Sequence, residues 1–245
     1  LDVKTGSGAF MKDVEDAFEL ASQMVEIGIQ LGRKTTALVT NMEQPLGMAI
    51  GNALEVREAI QVLKGMQPGA LQELCILLGA YMLYAAGRCE NVEKGRQMIE
   101  EALYKGLGVQ KLREMIAAQG GDERVVDDLS LLPIAQQVIP VKAQKSGYVI
   151  SLDAQAIGIS AMLLGAGRNT KEDIIDPGVG IVMNKRLGDR VEMGDVLAEF
   201  YVNNDKRLKE ALKVFNDAVK IGEGKPADQP LIYGVVTEKG IERWT

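Results

Sequence analysis

The sequence predicts an α/β protein: part of a parallel-sheet α/β domain over residues 1–135, followed by a smaller α+β domain over residues 136–245. Three observations predict it. Residues 1–40 run as a short strand, a glycine-rich turn, an amphipathic helix and a second, apolar strand, the order of a βαβ unit. Helical patterns then follow one another from residue 52 to residue 118. Beyond Pro140 the chain changes to short apolar runs separated by turns, and Pro133 and Pro140 bracket the change.

Leu1 to Thr5 reads as a strand whose carboxyl end enters the turn Gly6-Ser7-Gly8. In open α/β sheets ligands bind at such ends, because the loops there expose backbone N–H groups. The chain opens in mid-strand, and the expectation is that it is a fragment. A helix is expected from about Met11 to Leu31, with Asp13 as cap, Glu15 and Asp16 at the positive end of its dipole, and Val14, Phe18, Ala21, Val25 and Gly28 along one face. Lys34 to Thr40 is β-rich and nearly uncharged, as a central strand covered on both faces should be. Asn41 to Gly51 is then a loop on the same sheet edge as the glycine turn, provided the two strands are parallel. Asn52 should cap the next helix with Glu55 reaching back to it, and Leu71 to Ala86 should form a buried apolar helix. Residues 92–105 and 109–118 read as surface helices. In the second domain strands are expected at 137–142, 147–152, 179–184, 196–202 and 231–237, with helices at 154–164 and 205–221.

Composition excludes several classes of function. A formal charge of −6 argues against a nucleic-acid partner, which needs a basic surface to displace counterions from phosphate. The chain has no histidine, so Ser-His-Asp triads and His-containing zinc sites are absent. Cys75 and Cys89 lack metal-ligand spacing and imply no disulfide framework. No run of about 18 apolar residues could span a membrane, and the first residues have no secretory pattern. A soluble, cytoplasmic chain with small partners is expected.

Several groups of residues are candidates for chemistry. Gly6-Ser7-Gly8 is either a weak phosphate loop, since Met11 stands where a dinucleotide fingerprint needs its third glycine, or a plain strand-to-helix turn. Phe10, beside it, either lies against a planar ligand or plugs the core. Gln44-Pro45-Leu46-Gly47-Met48-Ala49, followed by Glu55 and Glu58, offers carbonyl and carboxylate oxygens to a hard cation; alternatively both carboxylates simply favour a helix start. Gly188 to Leu197 has the turn pattern of biotinyl and lipoyl carriers without a displayed lysine. Gly165-Ala166-Gly167-Arg168 is either an anion cradle or a helix end.

The segments Leu-Asp-Val-Lys-Thr-Gly-Ser-Gly-Ala-Phe-Met at 1–11, Thr-Asn-Met-Glu-Gln-Pro-Leu-Gly at 40–47, Gly-Asn-Ala-Leu-Glu-Val-Arg-Glu-Ala at 51–59 and Leu-Leu-Gly-Ala-Gly-Arg at 163–168 resemble bacterial pyrimidine-nucleoside and thymidine phosphorylases. The resemblance covers the whole chain. It implies phosphorolysis of pyrimidine (deoxy)nucleosides to free base and (deoxy)ribose 1-phosphate, with phosphate as co-substrate, by a cytoplasmic homodimer. It also implies that the carboxyl-terminal part is an α/β-hammerhead, barrel-sandwich-like domain. Phe10 then corresponds to a wall of the pyrimidine pocket, and Leu46, Ala49 and Glu58 to ligands of a structural potassium ion whose remaining ligands belong to the family's phosphate loop, so the site is expected to be incomplete in this chain. Glu55 is left with the capping role. The family's helical domain and phosphate loop, expected ahead of residue 1, do not occur in this sequence, so no catalytic residue is expected within it. The expected chain is inactive alone. Its alternative is a non-catalytic ligand-binding or interaction module derived from the large domain.

Overall fold

The computed structural model describes residues 1–244. In chain order the elements are β1 (Asp2–Thr5), α1 (Val14–Gln30), β2 (Ala37–Asn41), β3 (Ala49–Ile50), α2 (Asn52–Leu63), α3 (Ala70–Ala85), α4 (Val92–Tyr104), α5 (Leu107–Ala118), β4 (Gln137–Lys142), β5 (Gly147–Leu152), α6 (Ala154–Ala161), β6 (Gly180–Met183), β7 (Arg190–Val191), β8 (Val196–Val202), α7 (Leu208–Ala218), β9 (Val219–Gly222), β10 (Ile232–Thr237) and β11 (Gly240–Arg243). The fold is mixed α/β. Its contacts form two compact units: residues 1–43, 68–107 and 229–244 in one, and 44–67 with 108–228 in the other.

The first unit is built on the sheet β1-β2-β10-β11. As the βαβ reading expects, β1 and β2 are parallel, with Val3 opposite Val39 and Thr5 opposite Asn41. β10 and β11 then add antiparallel, so the last strands of the chain complete the sheet begun by the first. Asp13 caps α1 by accepting the Glu15 N–H at 2.8 Å. The helix places Ala17, Phe18, Ala21 and Val25 against Val3, Ala37, Val39 and Val236, making a dry layer on one sheet face. α3 and α4 pack on each other closely because Gly95 has no side chain: a Cβ there would lie 2.7 Å from the Ala80 carbonyl oxygen. Arg96 closes the same pair with a two-bond contact to Glu73, both bonds 2.8 Å. α3 departs from the expected buried helix. Only Leu74, Ile76 and Ala80 are buried, and Met82 and Tyr84 face outward.

The second unit holds two sheets, β3-β6-β8-β4 and β7-β5-β9, with α6 and α7 packed together. Phe200 and Phe215 meet edge to face at 5.2 Å in its core, beside Val149, Ile157 and Ile181. Two sequence expectations are corrected here. The helix expected to reach Ile221 stops at Ala218, because Val219 to Gly222 pairs with β5 instead. The helix after Ala154 leaves regular geometry at Met162 and turns at Gly165, whose φ of 108° favours glycine.

Candidate functional site

The opening turn uses its donors internally. The Gly6 N–H goes to Met11 O (3.1 Å), Gly8 N–H to Met42 O (2.9 Å) and Ala9 N–H to Gly6 O (3.0 Å). The remaining donor, Ser7 N–H, goes to the Glu43 carboxylate at 2.9 Å, and the Ser7 hydroxyl donates to the Glu43 carbonyl at 2.7 Å. These donors are used within the turn, which favours the plain strand-to-helix turn over the phosphate loop. Lys12 donates to Ser7 O at 2.7 Å, so the turn is braced from both sides. Phe10 stands on this braced turn with 93% of its surface exposed. It is no core plug. A ring held at the carboxyl end of β1 and left bare is a surface on which a flat ligand can lie.

The second candidate, the 44–49 loop, lies in the other unit and is organised by one buried carboxylate. Glu58 is 6% exposed and projects from α2 into the loop. Its oxygens accept Met48 N–H (2.7 Å), Ala49 N–H (3.0 Å) and the Gln67 amide (3.2 Å). Gly47 packs so tightly on it that a Cβ would sit 2.3 Å from Oε2. This removes the reading of Glu58 as a carboxylate that merely favours a helix start. Glu55 does take that role: its Oε1 accepts the Gly51 N–H at 3.0 Å. The cap residue is therefore Gly51 rather than Asn52, whose amide donates to Ala166 O at 2.8 Å. Leu46 and Ala49 flank Gly47 and Met48 in the same loop. Backbone carbonyls and a carboxylate are the donor types a hard cation takes, and in this loop Ala49 already meets Glu58 through its N–H.

Arg186 also reaches this loop, and sequence reasoning missed it. Its Nη1 donates to Pro45 O at 2.5 Å and to Gly47 O at 3.0 Å. Burial lowers the pKa of its guanidinium, against the opposing pull of Glu58 and Asp189. Glu43 was missed as well. Neither has a local signal, since each acts on residues far away along the chain.

The remaining candidates carry less. Beyond Gly167 the Asn169 and Thr170 N–H groups both donate to the Asp173 carboxylate at 2.8 Å, so that loop already holds its own anion, and these bonds keep the Asp173 carboxyl below its usual range. Gly188 and Gly194 turn at φ of 87° and 96° and Met193 is exposed, but β7 pairs with β5 while β8 pairs with β4 and β6, so residues 188–197 form no carrier-like hairpin. A cavity of about 550 Å³ beside α2 is mostly apolar, and its polar side chains, Asn52 and Glu55, are bonded as described. Among the described residues no cluster of three or more acidic or cysteine groups could hold a metal, and no helix is long and apolar enough to cross a membrane.

Residues 1–109 match the glycosyl transferase family a/b domain, which defines the class. Residues 148–222 match the pyrimidine nucleoside phosphorylase C-terminal domain. The chain is 52% identical over 237 residues to the pyrimidine-nucleoside phosphorylase of Geobacillus stearothermophilus, covering 97% of this chain and 54% of that protein. It is 47% identical over 238 residues to that of Staphylococcus aureus strain USA300, with the same coverage of each. Over nearly its whole length the chain is similar to pyrimidine-nucleoside phosphorylases. It spans about half the length of the curated relatives it matches.

Proposed function

We propose that this chain is the base-binding and cation-binding part of a pyrimidine-nucleoside phosphorylase, a pentosyltransferase that converts a pyrimidine (deoxy)nucleoside and phosphate to free base and (deoxy)ribose 1-phosphate. The observation that carries this reading is the 52% identity, over nearly the whole chain, to a relative bearing that name. Phe10 forms one wall of the pyrimidine pocket, held by the Ser7–Glu43 contacts. Leu46, Ala49 and Glu58 hold a structural potassium ion whose charge supports the loop. The intact enzyme is a cytoplasmic homodimer, and the division into residues 1–135 and 136–245 marks its α/β and hammerhead domains.

By itself this polypeptide does not turn over. Catalysis of this kind depends on donors placed to orient phosphate and to stabilise charge on the departing base. The glycine turn beside Phe10 has committed its donors internally. The test is release of free base from uridine and thymidine by the chain alone, then after mixing with the separately produced front half of the Geobacillus stearothermophilus relative. No release alone and release on mixing is the expected result. Turnover by the isolated chain near that of the relative contradicts the inactivity, and binding of nucleoside without release on mixing favours the non-catalytic module.

A further inference from the structure

We propose that Arg186 clamps the 44–49 loop: its guanidinium holds the Pro45 and Gly47 carbonyls while Glu58 holds the neighbouring N–H groups, and this limits what a monovalent cation adds to the order of the loop. The loop is held from both sides by opposite charges. Its carbonyls at Pro45 and Gly47 take hydrogen bonds from Arg186, and its N–H groups at Met48 and Ala49 give theirs to Glu58. Neighbours of Arg186 fix its position. The Arg186 N–H donates to Asp189 at 2.7 Å, the Leu187 N–H donates to the Gln44 side chain at 3.1 Å, and the Met183 N–H donates to Met48 O at 2.7 Å.

The chemistry of the side chain matters. A planar guanidinium presents several donors in a rigid fork, whereas a lysine ammonium is a compact and strongly hydrated point charge. Arg186 lies in the stretch matched by the C-terminal domain, and the loop it holds lies in the stretch matched by the a/b domain. The C-terminal domain therefore supplies a positioning residue to the cation loop. The part of the inference that concerns an added cation rests on the potassium reading above; the clamp does not.

The test compares the 245-residue chain with its Arg186→Met and Arg186→Lys variants. Melting is followed as potassium chloride replaces choline chloride at constant ionic strength, and amide exchange of Met48 and Ala49 is followed in parallel. Without potassium, Arg186→Met should exchange these two amides at least about tenfold faster than the parent, and potassium should restore protection. Raising potassium to about 100-fold above half-saturation should lift its melting temperature by about 5 °C, and that of the parent by less than half as much. Arg186→Lys should fall between them. Should Arg186→Met fail to fold, a potassium shift in Arg186→Lys larger than the parent's supports the inference and an equal shift overturns it. Parent-like exchange in Arg186→Met overturns the clamp and leaves the potassium reading intact. Faster exchange that potassium does not repair upholds the clamp and shows that Leu46, Ala49 and Glu58 do not hold potassium by themselves.

Discussion

Replacing Glu58 by leucine tests how much of the second unit's stability depends on one buried carboxylate. The substitution leaves the Met48 and Ala49 N–H groups and the Gln67 amide without their acceptor, in a site where Glu58 is only 6% exposed. Each buried donor left unpaired costs about 1–3 kcal/mol. Arg186 also loses the opposing charge that favours its guanidinium. Partial relaxation brings the total to roughly 3–5 kcal/mol, the range for removing one side of a buried charged contact. For a chain of this size that is a fall of roughly 6–20 °C in melting temperature. Urea denaturation gives the energy directly. Glu58→Gln keeps one acceptor oxygen and should lose about half as much. A loss under about 1 kcal/mol for Glu58→Leu, with the same denaturant dependence, refutes the reasoning.

Other outcomes follow from the same geometry. Gly6→Ala forces a side chain onto a φ of 115° and a Cβ to 2.7 Å from the Glu43 N, so urea melts should show a loss of about 1–3 kcal/mol. Gly95→Ala drives a Cβ against the Ala80 carbonyl and should cost a similar ~1–3 kcal/mol by separating α3 from α4, again read from urea melts. The bonds from Arg96 hold the Glu73 carboxyl below its usual range. A carboxyl with a lowered folded pKa stabilises the fold at neutral pH and loses that contribution as pH falls through the folded value. Glu73→Gln should therefore be weaker than the parent by under about 1 kcal/mol at neutral pH, the pair being partly exposed, and equal to it well below the carboxylate range, as urea midpoints at both pH values will show. Phe10→Ala should leave melting unchanged, since the ring is bare, while weakening nucleoside binding in the assembled enzyme about 5- to 150-fold in a titration.

The features legible in the sequence are those with local causes. Asp13 is a cap because a carboxylate there can reach the Glu15 N–H two residues on, and the stripe through Phe18, Ala21 and Val25 marks the buried face of α1 within the same few turns. The parallel pairing of β1 with β2 follows from the helix between them. What was not legible depends on distant partners. Val219 to Gly222 continues a helical pattern, and only β5, far back in the chain, makes it a strand. β10 carries no mark that its neighbour is β2. The candidate site divides the same way. Phe10 and Glu58 were visible as a rare aromatic at a turn and a carboxylate after a proline–glycine loop. Glu43 and Arg186 look like ordinary surface charges until the fold brings one to Ser7 and the other to Pro45 and Gly47. Cys75 shows the converse, since a thiol in an apolar helix gave no hint that Lys4 and Asp2 lie near it.

The most direct test of the account exchanges the matching residues of the Geobacillus stearothermophilus pyrimidine-nucleoside phosphorylase for this chain and measures phosphorolysis of uridine and thymidine. The account predicts a folded chimera that releases free base only when phosphate is present and loses nucleoside affinity on Phe10→Ala. A folded chimera that binds no nucleoside, or one in which Phe10→Ala changes nothing, contradicts it.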